Sequence, residues 1–392
     1  MRPLGSTIAD LKRYKSLWAG LMRNTKLLVG SEGIHVPATS RLHEVSGFGA
    51  NPGALRMFTY LPSAVKEGSP LVVVLHGCKQ TAASYDLGAG WSQLADRYGF
   101  TLVLPQQQPS NNPNNCFNWF LPGDTKRGLG EAHSIQQMIA RMIADHGVDP
   151  RRIFVTGLSA GGAMTSVMLA AYPDVFAGGA IIAGLPYGAA GNVQEAFGAM
   201  FQSPSRPKDA WGNLVRAASP HSGPWPRVSI WHGAADATVI PQNAAEIAKQ
   251  WADVHGLQSD PTERSVVDGF PRSVWRNQAG QEVIESYAIT GMAHGTPLAP
   301  GDAEGQAGVA GAFLLDVGIS SSYHIAKFWG IAEKEAEHVK VLPPASAQMT
   351  NTIVNEIEDP PPARPSVYAN DVGGVITRAL QAAGLIRGGT RD

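Results

Sequence analysis

Cysteine is scarce in this chain. There are two in 392 residues, Cys78 and Cys116. That number excludes a disulfide-built scaffold, and with no CxxC pair and no clustered histidines it argues against a metal site. A single bridge between the two, or a pair of free thiols, are the alternatives that composition leaves open. Excess charge is missing as well. Lys and Arg number 31 against 32 Asp and Glu, a formal net charge of -1. Such a balance lacks the electrostatic footprint of a nucleic-acid or anionic-membrane binder. The short basic run Lys12-Arg13-Tyr14-Lys15 reads as a solvated helix face. Nor is there an uninterrupted apolar run of about 20 residues, the length that crosses a bilayer. The charges at Asp10, Lys12, Arg13 and Lys15 break the only N-terminal stretch that resembles a signal h-region. The chain therefore reads as soluble: cytoplasmic, with association to a granule admitted, or exported by a route the sequence does not display.

What is present is apolar material, 44% of residues against 16% charged, which excludes global disorder. Glycine (44) and proline (28) are abundant, so many loops have a defined shape, as in enzymes whose sites are built from loops on a sheet. Oligomeric state is left open, a homo-oligomer included.

Three regions are expected. Residues 1–40 hold an amphipathic helix, with Ile8, Leu11, Leu17, Trp18 and Leu21 at roughly helical spacing, and then a connector. Residues 41–345 form the catalytic domain. Residues 346–392 contain the stiff run Asp359-Pro360-Pro361-Pro362-Ala363-Arg364-Pro365 and a terminal helix over Val372–Leu385. No internal repeat is found. Within the central region short apolar runs bounded by Gly or Pro predict strands at Leu55–Leu61, Leu71–Leu75, Phe100–Pro105, Arg152–Gly157, Ala177–Ala183, Val228–Trp231 and Val283–Thr290. Helices are predicted at Ser92–Tyr98, Glu131–His146, Ala163–Tyr172, Asn243–His255 and Ser322–Trp329. This alternation predicts a doubly wound, mostly parallel α/β sheet. Pro186–Pro226 interrupts it, either as a lid over the sheet or as an ordinary ordered insertion.

The strongest chemical signal is Gly157-Leu158-Ser159-Ala160-Gly161. A strand precedes it and a helix follows, the setting of a nucleophile elbow in an α/β-hydrolase. The glycines permit a tight turn, and the helix N-terminus beyond it favours an oxyanion. A serine hydroxyl needs a general base, and in this fold the order is Ser, then Asp or Glu, then His. Asp236 lies just past the strand ending at Trp231. Asp260 and Asp268 lack that placement. His294 follows the strand Val283–Thr290 in a loop of small residues. His76 and His232 are strand-end residues expected to bond locally, His221 falls in the insertion and His324 in a helix. Ser159, Asp236 and His294 are thus the expected triad. The backbone N–H groups of Cys78 and Ala160 are the expected oxyanion donors, Cys78 because it follows an early buried strand. Both cysteines should lie on the site side of the sheet, as should Trp119, the candidate for substrate contact.

Together Leu75-His76-Gly77-Cys78-Lys79-Gln80, Asn115-Cys116-Phe117-Asn118-Trp119-Phe120, Gly157-Leu158-Ser159-Ala160-Gly161-Gly162-Ala163-Met164 and His232-Gly233-Ala234-Ala235-Asp236 resemble the esterase family of poly(3-hydroxybutyrate) depolymerases, which also contains feruloyl and acetylxylan esterases. The resemblance runs from about Leu55 to Pro300. It implies ester hydrolysis through an acyl-serine intermediate without a cofactor, the same triad, and a Cys78–Cys116 disulfide. Hydroxyalkanoate polyester or oligomer is the main substrate reading. A feruloyl or acetylxylan ester is the alternative. A catalytically silent binding protein on the same fold is the non-enzymatic one.

Overall fold

The structure is a computed structural model that describes residues 40–63 and 65–333. The expected N-terminal helix, the proline-rich run and the terminal helix lie outside these residues. Among the described residues, no helix is long and apolar enough to cross a membrane.

Ten strands form one twisted sheet in the order β1-β2-β4-β3-β5-β6-β7-β10-β9-β8. Its centre is the set of apolar runs expected from sequence. These are β3 (Leu71–Leu75), β4 (Thr101–Gln106), β5 (Ile153–Leu158), β6 (Gly178–Ile182), β7 (Arg227–Gly233) and β10 (Glu282–Ile289), all parallel to one another. On one margin β1 (His43–Val45) and β2 (Arg56–Tyr60) add antiparallel pairs.

The strands are apolar throughout because both faces are covered. Leu71, Val73 and Leu75 of β3 point into one cluster while Val72 and Val74 point into the other. Side chains on a strand alternate between faces, so a strand buried on both sides loses its polar positions. The first face carries α4 (Gly130–His146), which follows the one-turn α3 (Pro122–Thr125), with α5 (Ala160–Ala171), α7 (Lys208–Ala217) and α8 (Gln242–Val254); Ile135, Met168, Trp211 and Trp251 represent the four long helices in the core. The second carries α1 (Ala82–Ala89), α2 (Trp91–Tyr98) and α9 (Ser321–Phe328), represented by Tyr85, Trp91 and Ile325.

Three features add to the sequence reading. Helix α1 is new. It turns Asp86 inward and leaves Leu87 44% exposed, inverting the polarity that would have marked a helix stripe. Asp86 is retained inside because its carboxylate accepts the Ser92 N–H at 2.8 Å, capping the first turn of α2, although burial pushes its pKa up to about 6. The Pro186–Pro226 interval is an ordered insertion containing α6 (Val193–Gln202) and α7. The Trp211 indole N–H donates to Glu246 of α8, and Ile240 N–H donates to Met200 O at 3.0 Å, so both helices are braced. Finally, β8 (Glu263–Val267) and β9 (Phe270–Arg276) extend the far margin as a hairpin. Its two-residue turn, Asp268-Gly269, has φ of 50° and 85°, the primed geometry that an Asp-Gly pair favours. A short parallel pair, β11 (Thr296–Leu298) and β12 (Leu314–Asp316), stands apart from the main sheet.

Candidate active site

Ser159 is the hinge between β5 and α5. Its φ of 58° and ψ of -114° lie where a side-chain-bearing residue is strained, and the turn holds it there. Ser159 N–H donates to Ile182 O at 2.9 Å and Ser159 O accepts from Ala163 N–H at 2.8 Å. Close approach explains the flanking glycines. A Cβ on Gly157 would stand 2.4 Å from Gly161 O. One on Gly161 would stand 2.3 Å from Leu75 O and 2.6 Å from His76 O. The elbow is therefore packed directly on the backbone of the turn after β3.

Two loops at the carboxyl ends of strands meet the serine. His294 follows β10; its Nε2 lies 2.9 Å from Ser159 Oγ and its Nδ1 2.7 Å from Asp236 Oδ2. A carboxylate only accepts, so Nδ1 carries the hydrogen and Nε2 accepts from the serine hydroxyl. Asp236 follows β7. Its Oδ1 accepts the N–H groups of Thr238 and Val239 at 2.8 and 2.9 Å, which fixes the carboxylate plane. The Asp236 side chain is fully buried and that of His294 is 9% exposed. Burial alone would raise the Asp236 pKa. Hydrogen bonds from His232 and His294 outweigh it and hold the group well below the usual carboxylate range.

The rival residues are elsewhere. Asp260 is 94% exposed, Asp268 pairs with His324 at 2.9 Å across the far margin of the sheet, and His221 Nε2 meets Pro224 O at 2.8 Å.

The turn after β3 is closed by Gln80, whose Oε1 accepts Gly77 N–H at 2.8 Å. Lys79 N–H donates to Asn114 O at 2.7 Å. Among the described residues, the N–H groups of Cys78 and Ala160 are both left without a hydrogen-bond acceptor. Cys78 is joined to Cys116 by a disulfide, which ties this turn to the 107–118 loop. Trp119 is 8% exposed and packs within the core, edge-on to Phe120, so only a small face of it is accessible.

Residues 55–268 match a family model described as esterase PHB depolymerase. The chain belongs to that family. It is 51% identical over 291 residues to poly(3-hydroxyalkanoate) depolymerase C of Paucimonas lemoignei, covering 74% of this chain and 70% of the relative. It is 36% identical over 273 residues to an acetylxylan esterase of Coprinopsis cinerea, covering 67% and 71%. Among solved structures it is similar to an acetyl xylan esterase from Aspergillus awamori, with a TM-score of 0.63 and 25% identity over 74% of this chain and 99% of that one. The α/β-hydrolase fold and carboxylic ester hydrolysis, both expected from sequence, follow from these relatives.

Sequence reasoning missed the polar frame behind this esterase's site. Glu131, at the start of α4, is fully buried. Its carboxylate accepts from Asn118 N–H at 2.9 Å, from Asn118 Nδ2 at 2.7 Å and from Gln107 Nε2. Burial pushes its pKa up to about 8 against these bonds. Gln107 N–H in turn donates to His76 Nε2 at 3.1 Å, while His76 Nδ1–H donates to Gly77 O at 2.8 Å. His232 is a second neighbour of the Asp236 carboxylate, 3.4 Å from Oδ2, with its Nε2–H directed mainly at Val239 O, 2.7 Å away. A glutamate in a first helical turn is usually solvated, so no local signal marks Glu131 as buried.

Proposed function

We propose that this chain hydrolyses poly(3-hydroxybutyrate) or related hydroxyalkanoate polyesters and oligomers through an acyl-serine intermediate. The observation that carries the mechanism is the unbroken chain of hydrogen bonds from Asp236 to His294 to Ser159. Ser159 Oγ attacks the ester carbonyl while His294 Nε2 takes its proton. Asp236 holds the Nδ1–H and stabilises the imidazolium. The tetrahedral oxyanion is received by the N–H groups of Ala160 and Cys78, which no other group engages among the described residues. His294 then passes its proton to the leaving alkoxide. Water attacks the acyl-Ser159 with His294 again as base, releasing the acid. No step calls on a cofactor or metal. Trp119 is assigned a substrate contact through the small face it leaves accessible.

The substrate reading rests on the depolymerase relative, whose identity to this chain exceeds that of the acetylxylan esterases. The test is an ester panel of soluble 3-hydroxybutyrate oligomers, amorphous polymer granules, acetylated xylan and a feruloyl ester, with Ser159→Ala as control. Hydroxybutyrate esters should give the highest kcat/KM, and the variant should lose at least about 10³-fold on all substrates. Faster release of acetate from xylan would favour the carbohydrate-esterase reading. A Ser159→Ala variant with parental turnover would remove the serine mechanism altogether.

A further inference from the structure

The segment Gly308–Leu314 borders the site without belonging to the proton relay. It is laid along the end of α1: Val309 N–H donates to Gly88 O at 3.0 Å, and a Cβ on Gly88 would meet Leu314 Cδ1 at 2.0 Å. On its other side it touches the base loop, where Thr296 N–H donates to Phe313 O at 2.8 Å. Gln80 of the oxyanion turn reaches Ala312 O at 3.5 Å. The segment thus contacts both of the loops that flank Ser159.

Phe313 stands out within it. Its φ is +61°, a region that bulky side chains avoid. Strain of this kind persists only where the surroundings impose it, and it concentrates at functional sites. Burial of the ring does not account for it, since Phe313 remains 36% exposed. The ring stands edge-on to the His294 imidazole, with 6.0 Å between centroids. The same stretch and the adjoining helix end present two more apolar side chains that the core does not use, Val309 at 53% and Leu87 at 44% exposure.

We propose that Phe313, with Val309 and Leu87, forms an apolar ledge on the His294 side of the site that takes the alcohol-side chain of the ester. The chemistry sets the side. The acyl half of the substrate stays on Ser159, whereas the alcohol half departs with the proton from His294. Groups beside His294 therefore meet the alcohol half. In a hydroxyalkanoate chain that half is a run of further aliphatic ester units, uncharged and apolar enough to lie on Phe, Val and Leu side chains. This inference rests on the hydroxyalkanoate reading and on the assignment of Ser159 and His294 above.

Two substrate series test it. Both start from methyl 3-hydroxybutyrate. One lengthens the alcohol, as in butyl and hexyl 3-hydroxybutyrate, and the other lengthens the acyl chain, as in methyl 3-hydroxyhexanoate and methyl 3-hydroxyoctanoate, so that each substrate holds a single ester bond. Each is assayed with the parent, Phe313→Gly and Val309→Ser, and Tm is measured for all three. In the parent, kcat/KM should rise with alcohol-side length. Phe313→Gly should lower the long-to-short ratio in that series about tenfold and Val309→Ser two- to threefold, as expected for lost apolar contact. The acyl-side ratios should hold. The Tm of Phe313→Gly should equal or exceed that of the parent, because glycine accepts the left-handed conformation. A loss confined to acyl-side extension, or unchanged alcohol-side ratios in both variants, would overturn the ledge while leaving the substrate reading intact. A parent inactive on both series overturns the substrate reading and the ledge with it.

Discussion

Replacing Asp236 by Asn is the most incisive perturbation, because the surroundings dictate how the amide must sit. Oδ1 receives two backbone N–H groups, from Thr238 and Val239, at 2.8 and 2.9 Å. Only the amide oxygen can occupy that place. The NH2 is then forced into the position of Oδ2, 2.7 Å from His294 Nδ1. A donor there requires Nδ1 to accept, so the hydrogen moves to Nε2 and points at Ser159 Oγ. In that tautomer the histidine cannot take the serine proton. The analogous carboxylate-to-amide change in a serine protease costs about 10⁴ in kcat. At ~1.4 kcal/mol per factor of ten this is roughly 5.5 kcal/mol of transition-state stabilisation. Stability should fall less than in Asp236→Ala, since the loop keeps its two backbone hydrogen bonds. Asp236→Ala makes the contrast. It strands the buried Val239 N–H, worth about 1–3 kcal/mol when left unsatisfied, and the part-buried Thr238 N–H, and should lower the unfolding free energy as well as kcat. Steady-state kinetics on a soluble hydroxybutyrate ester and urea unfolding of both variants decide the matter. An Asp236→Asn enzyme within tenfold of the parental kcat, or one that loses activity only in proportion to lost folding, would refute the tautomer argument.

Two further outcomes follow from the frame behind the site. Opening the Cys78–Cys116 bridge releases a loop closed over 38 residues, which on the chain-entropy account is worth about 2–4 kcal/mol, or roughly 5–15 °C in Tm. Thermal unfolding with and without reductant, with thiols titrated, measures it; an unchanged Tm after full reduction would mean that the hydrogen bonds to Glu131 hold the loop alone. His76 is fully buried, and burial pushes its pKa down to about 4, against the bond to Gly77 O that favours the proton. Between its ordinary value near 6.5 and about 4, the unfolded chain binds a proton that the folded one refuses. Stability is therefore complete above that window and declines through it as pH falls, by ~1.4 kcal/mol per pH unit. Relative to the parent, His76→Gln should be destabilised at pH 7, with the gap narrowing at that rate between pH 6 and pH 5; a constant gap would show that His76 does not titrate there.

The central strands and the elbow were legible because their signals are local. Val72, Val74, Leu102 and Ile181 sit in continuous apolar runs, and such runs between Gly or Pro have few alternatives to a doubly covered strand. Predicted boundaries differed by a residue or a few, as at Ile153–Leu158 and Ala160–Ala171, since capping and fraying shift the ends. Helix α1 was hidden because Asp86 points in and Leu87 points out. The β8–β9 hairpin had a readable sign, Asp268-Gly269, but its strands carry exposed residues such as Val266, which blur the alternation.

The sequence by itself determined the fold class, the reaction class and the identity of the serine, acid and base candidates. Chain order and strand ends are properties of a one-dimensional pattern. Tertiary structure alone decided how far apart those groups stand, that the two cysteines are joined, that Glu131 is buried among donors, and that Phe313 lies beside His294 in a strained conformation. Each of these depends on segments distant in sequence packing within a few ångströms. Whether a polar or aromatic side chain is exposed, satisfied or strained is set by such neighbours and not by the residues next to it in the chain.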